Sequence, residues 1–248
     1  MKRAKVALMN KKILPFVLMV VLSAMMTTPF TALASIDPPQ KSAAEIATMC
    51  PYSAVVASTP DTAMYNDTEP GANDPQVKQG FDAYRAASFQ DAYNKWLPLA
   101  VAGNATAQYY LSSFFVGEDA DDQATQCAIQ WLQAAAAHKH VGANAGLGRL
   151  LGIGDHDFID LPQAKSALLF AAERCHLDAQ FQLGSLYGRI PAPHRDFVEA
   201  HKWLMVASTR GREEAEDTNK ILRRFTSVAE LREGNRRHKE WLKNNPCK

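Results

Sequence analysis

The sequence predicts an all-α chain: an α/α superhelical solenoid of stacked helical hairpins with a C-terminal capping helix. Three observations predict it. Ala92, Ala128, Ala164 and Ala200 are each 36 residues apart, and Ala107, Ala143, Ala179 and Ala215 keep the same interval. A fixed period of this length marks an array of identical supersecondary units. Between the two alanine series lie Gly103, Lys139, Cys175 and Gly211, again 36 apart, where each hairpin turns.

The chain opens with Lys2, Arg3, Lys5, Lys11 and Lys12, then an uncharged run from Ile13 to Met26 and the small-x-small tripeptide Ala32-Leu33-Ala34. This order reads as a cleavable secretory signal peptide over 1–34. The run has 14 residues, interrupted by Pro15 and Ser23, and a membrane span needs roughly 20. Losing the five basic residues leaves 22 basic against 26 acidic side chains, a net charge of −4. Nucleic acid, which demands a basic face, is therefore an unsuitable partner. The charge is uneven: residues 35–122 hold 12 acids and 4 bases, and residues 123–248 hold 14 acids and 18 bases.

An N-terminal extension, partly loop, occupies 35–74. Within it Lys41 to Met49 suits a short helix capped by Ser42, with Glu45 completing a capping box, and Pro51 stops it. The run from Ser58 to Asp74 is rich in turn formers. The solenoid occupies 75–225. Gln76 to Ala87 suits one helix with Phe81 and Tyr84 on one side, and about four 36-residue repeats follow. First helices carry Ala92 with Trp96, Ala128 with Trp131, Ala164 with Ala167, and Ala200 with Trp203; second helices carry Leu111, Leu147 and Leu183. Alanine permits close helix approach while the large residues fill the space between hairpins, so Trp131 and Trp203 are core positions. Asp160 and Asp196 precede first helices as N-caps, and Pro162 suits a first turn. Asn219 replaces the repeated leucine in the last unit, a decay expected where no further repeat must be covered. A capping helix and tail occupy 226–248, with Thr226 or Ser227 as cap, Glu230 completing a box, and Pro246 as the stop.

The stretches DAYNKWLPLAVAGNATAQYYL, CAIQWLQAAAAHKHVGANAGLG, AKSALLFAAERCHLDAQFQLGSLYG and DFVEAHKWLMVASTRGREEAE resemble the Sel-one-like repeat (SLR) family, relatives of tetratricopeptide repeats. The resemblance covers roughly Phe81 to Asn219. It departs from the family pattern at Lys139 and Cys175 in the turn, at Ala167, and in unit one, which lacks the Leu-Gly pair. The resemblance implies an α/α superhelix that binds another protein or peptide, with no shared catalytic residues to carry over.

No residue set argues for chemistry. His138 and His140, and His156 between Asp155 and Asp157, lack a close ligand constellation. Gly152-Ile153-Gly154 follows no strand and precedes no Gly-Lys-Ser/Thr, so it is no phosphate loop. The acidic run Glu118 to Asp122 lacks the alternating ligands of a calcium loop. Arg223-Arg224 and Arg236-Arg237 suit a charged helix face. No catalytic residue, metal or cofactor is expected, and binding residues stay unassigned.

Four cysteines remain after cleavage, Cys50, Cys127, Cys175 and Cys247, and in an exported protein they suggest two disulfides with three possible pairings. First helices of a solenoid all point the same way, so Cys127, at the start of one, and Cys175, at the end of the next, lie on opposite edges. About 12 helical residues separate those edges by roughly 18 Å, beyond disulfide reach. A final helix parallel to the first helices puts Cys247 on the edge of Cys175. The expected pairs are Cys50–Cys127 and Cys175–Cys247. The expected function is a non-catalytic periplasmic or secreted protein–protein interaction scaffold, an adaptor or regulator of an envelope complex. The alternatives are a cell-wall-associated enzyme or ligand-binding protein using His138, His140 or His156, and a structural component of a surface machine such as a flagellar motor or secretion system.

Overall fold

A helix that ends leaves its last carbonyls unpartnered, and this chain meets them in the same way at every hairpin turn. The computed structural model describes residues 41–55, 71, 73–117, 120–152, 158–191, 194–245 and 247. The expected signal peptide, most of the turn-rich run before residue 71, Pro246 and the loop containing His156 lie outside them. The described elements are α1 (Ala43–Met49), α2 (Pro75–Arg85), α3 (Phe89–Val101), α4 (Ala105–Ser112), α5 (Asp122–Ala137), α6 (Val141–Gly152), α7 (Leu161–Glu173), α8 (Leu177–Arg189), α9 (Phe197–Thr209), α10 (Glu213–Leu222) and α11 (Val228–Asn244), with short 3-10 turns at Tyr52–Ala54 and Ser113–Phe115. There is no strand among the described residues. The hairpins α3–α4, α5–α6, α7–α8 and α9–α10 stack in chain order, each first helix packing on the preceding second helix. The all-α solenoid expected from the 36-residue interval is what the chain forms.

Each hairpin turns on one residue in the left-handed region: Gly103, Lys139, Cys175 and Gly211 have φ of 92°, 61°, 68° and 93°. The next residue sends its N–H back to a carbonyl five positions earlier, Asn104 to Leu99 at 2.9 Å, His140 to Ala135 at 3.3 Å, His176 to Ala171 at 3.1 Å and Arg212 to Ala207 at 3.0 Å. This is the Schellman closure, which favours glycine at the left-handed position. Lys139 and Cys175 adopt the glycine conformation without being glycine. The α2–α3 turn uses the same device, with Ala87 at φ 58° and Ser88 bonded to Ala83 at 2.9 Å. For that reason α2 stops at Arg85, two residues before the expected end.

The repeated small residues set the distance between helices. A Cβ added at Gly184 of α8 would sit 2.8 Å from the backbone N of Leu204 in α9, and one added at Gly148 of α6 would meet the Leu168 side chain of α7 and, at 3.0 Å, the Ala164 carbonyl oxygen. In unit one the equivalent position is Ser112, buried. Trp131 and Trp203 are buried as expected, and Trp96 donates to the Val77 carbonyl at 2.9 Å. The expected caps are in place at Asp160 and Asp196, whose carboxylates accept from Gln163 and Glu199 at 2.9 Å.

Both ends are tied to the stack. At the start, Ser42 and Glu45 form a capping box on α1, Tyr93 donates to the Cys50 carbonyl at 2.6 Å, and Cys50 is disulfide-bonded to Cys127 with a Cα–Cα distance of 5.7 Å. At the end, Ser227 and Glu230 cap α11. That helix is charged over most of its surface, yet it buries Gly234, His238 and Trp241. It packs on α9, with Trp241 edge-on to Trp203 at 5.3 Å and Arg237 paired to Glu199 at 2.7 Å. Cys247 is bonded to Cys175, Cα–Cα 5.5 Å. Asn219, where the leucine pattern lapses, is buried and bonds the His201 ring at 2.7 Å; that ring also meets Asn235 of α11 at 3.3 Å. The lapse therefore serves a polar link between the last hairpin and its cap.

Because a left-handed L-residue costs roughly 1–2 kcal/mol, Lys139→Gly should raise stability by about 1 kcal/mol, whereas Gly103→Ala should lower it by a similar amount. Chemical denaturation of both variants checks the pair, and a destabilised Lys139→Gly would contradict the turn assignment.

Candidate binding groove

Between α8 and α10, two successive second helices of the stack, lies an open cleft. The face of α8 that borders it reads Phe181, Gly184, Ser185 and Gly188 at three- and four-residue intervals, a helical stripe whose middle is small. Across from it α10 presents Thr218, Ile221 and Leu222, and the chain beyond adds Phe225. Leu204 and Phe197 of α9, together with Gln182, Arg189 and Arg195, complete the lining of a cavity of about 590 Å³. Ile221 and Phe225 stand at 58% and 69% exposure, the values of side chains that no neighbour covers. Val228 at the start of α11 adds a third at 65%. In a continuing array the next first helix would lie against α10; here α11 lies on α9 instead, so Ile221 of α10 stays open while Ala215 and Leu222 are buried.

The two ends of the groove differ in charge. At the Phe181 end, Arg212 is paired to Asp178 at 2.6 Å and Glu214 at 3.0 Å, its guanidinium 5.3 Å from the Phe181 ring centre. At the other end, Arg189 is exposed and has no hydrogen bond or ion pair among the described residues. Arg195 donates its Nε to the Ile190 carbonyl at 3.1 Å and lies over Phe197 at 5.6 Å, with no carboxylate partner among the described residues. Among the described residues no acidic side chain lines the cleft.

The residues weighed for chemistry in the sequence are otherwise employed. His140 is not a solvated loop residue: it is buried, and its Nδ1 accepts the Ala143 N–H at 3.1 Å as the cap of α6. His176, 36 residues on, caps α8 through Ala179 at 3.3 Å, and Asn104 caps α4 through Ala107 at 2.9 Å. The 36-residue interval could have exposed this series, but its members differ in type. Arg212 ends it, contributing ion pairs and no side-chain cap. His138 is the exposed C-cap residue that follows α5, and Asp121 caps α5 at Ala124. Arg236 and Arg237 pair with Glu233, Glu240 and Glu199. Among the described residues no three His, Cys, Asp or Glu side chains gather as a metal site, and no helix is long and apolar enough to cross a membrane.

No protein-family model and no curated protein matches the chain. A solved structure described as a protective antigen present in uropathogenic Escherichia coli strains, displaying an SLR fold, aligns over 68% of this chain with 21% identity and a TM-score of 0.44. The chain spans 45% of the length of that protein.

Burial, with His176 nearby, pushes the His140 imidazole from its ordinary 6.5 down to about 4, and burial also lowers His176. The folded protein therefore holds His140 neutral while the unfolded chain protonates near 6.5. Stability is complete above that value and falls as the pH drops toward 4, by up to about 1.4 kcal/mol per pH unit for the group. Denaturation midpoints measured between pH 7.5 and 4 should fall for the native chain. His140→Asn, which reproduces the Asn104 cap, should flatten the slope.

Proposed function

We propose that this chain is a non-catalytic protein-interaction scaffold of the periplasm, an adaptor or regulator of an envelope complex. It would hold an extended or helical segment of a partner protein in the groove between α8 and α10. The observation that carries this reading is the uncovered pair Ile221 and Phe225 on the rim of an apolar cleft, since contiguous exposed apolar surface on a soluble chain marks an interaction site. Grooves of this kind take a peptide's side chains as anchors spaced along one face. The two disulfides support an oxidising compartment, which agrees with reading residues 1–34 as a signal peptide. On the same reading residues 35–74 are an extension, 75–225 the solenoid and 226–248 its cap.

A photo-cross-linking residue placed at Phe225 in producing cells tests the proposal, with the same residue at the exposed Asn94 of α3 as control. A defined protein should be captured at Phe225 and not at Asn94, and Phe225→Ser should abolish co-purification of that protein while leaving the thermal transition unchanged. No product above the Asn94 control would overturn the reading.

A further inference from the structure

The groove's charge pattern says something about what fills it. Along α8, Phe181 and Arg189 are eight residues apart, about 12 Å of helix. Over that length the walls are mostly apolar, with Gln182, Ser185 and Thr218 among them, and the lining cations lie at one end. The Phe181 end is already neutralised by the pairing of Arg212 with Asp178 and Glu214. Among the described residues, Arg189 and Arg195 at the opposite end have no carboxylate partner and no acid lines the cleft to oppose them. Arg189 lies in the last turn of α8, where a cation offsets the negative end of the helix dipole; this uses none of its five N–H donors. Two guanidinium groups beside an apolar floor suit a carboxylate, which arginine binds through paired hydrogen bonds.

Resting on the scaffold reading above, we propose that the occupant is an amphipathic peptide segment of a partner protein, with two apolar anchors seated between Phe181 and Phe225 and an Asp or Glu side chain paired with Arg189 and Arg195. Twelve ångströms fixes the spacing. In a helical segment the apolar anchors lie three or four residues apart and the acid about seven from the first anchor. In an extended segment the three fall within about four residues. The open rim, with Ile221 and Phe225 more than half exposed, favours a peptide over a small apolar acid, because small-ligand sites enclose most of their ligand.

Panning a phage-displayed library of random 12-residue peptides on the full chain tests this, followed by fluorescence anisotropy with the recovered peptides. The selected sequences should share two apolar residues and an acid at one of these spacings. Arg189→Glu and Phe225→Ser should each weaken binding at least tenfold, Arg189→Gln less, and raising the salt concentration should weaken the native chain but not Arg189→Glu. Circular dichroism of the variants, both at exposed positions, shows that they fold. Recovered peptides without an acidic excess, peptides that bind Arg189→Glu unchanged, or a library that yields no binder would each overturn the proposal. So would laurate binding with the same sensitivity to these substitutions, or a concentration-dependent dimer lost in Phe225→Ser. If cross-linking at Phe225 still captures a protein that Arg189→Glu binds normally, the scaffold reading stands and the carboxylate assignment fails.

Discussion

A chain that reverses direction within three residues strands the carbonyls of the helix it leaves and the N–H groups of the helix it enters. The stack depends on satisfying both. One left-handed residue lets the following N–H reach back five positions, as at Lys139 and His140, and the side chain of that same following residue then caps the new helix. A pair of adjacent residues thus ends one helix, starts the next and fixes the angle between them. Because the left-handed turn recurs at the same interval in four units, with the side-chain cap in the first three, the helices arrive in similar geometry each time, which is what allows Gly148 and Gly184 to meet Leu168 and Leu204.

Much of this was legible in the sequence, because close helix packing tolerates few residue types. Alanine at the helix crossings must repeat if the hairpins repeat, so identity at a fixed interval exposed it, and Trp131 and Trp203 could be placed in the gaps by their distance from it. The capping position was harder to see. Asn104, His140 and His176 do one job with different side chains, since any acceptor that reaches the N–H two or three residues on will serve. A histidine found alone invites comparison with metal ligands, and only its place in the interval shows otherwise. Asn219 misled in another way: the lost leucine looked like decay, but the amide is matched to His201, which has no counterpart in the other units.

The groove was not legible at all. It arises where α10 faces α8 without a further helix to cover it, and this depends on α11 choosing α9. That choice is made by long-range contacts, Trp241 with Trp203, Arg237 with Glu199 and Cys247 with Cys175. None of them belongs to the repeat. The terminal helix closes the core of the last hairpin while leaving one of its sides open, so a single element both ends the array and shapes its free surface.

The bond between Cys175 and Cys247 has a mechanical consequence. It spans 72 residues, from the turn of the third hairpin to the tail, and so encloses α8, the whole fourth hairpin and α11 in one covalent loop. Tension applied at the tail would enter the main chain at Cys175 and bypass everything in between. The groove lies within that shielded segment. A partner pulling on the scaffold through its C-terminal end would load the chain from Cys175 back to Cys127, where the Cys50–Cys127 bond offers a second bypass, and leave the groove relaxed until a reductant opened the loop.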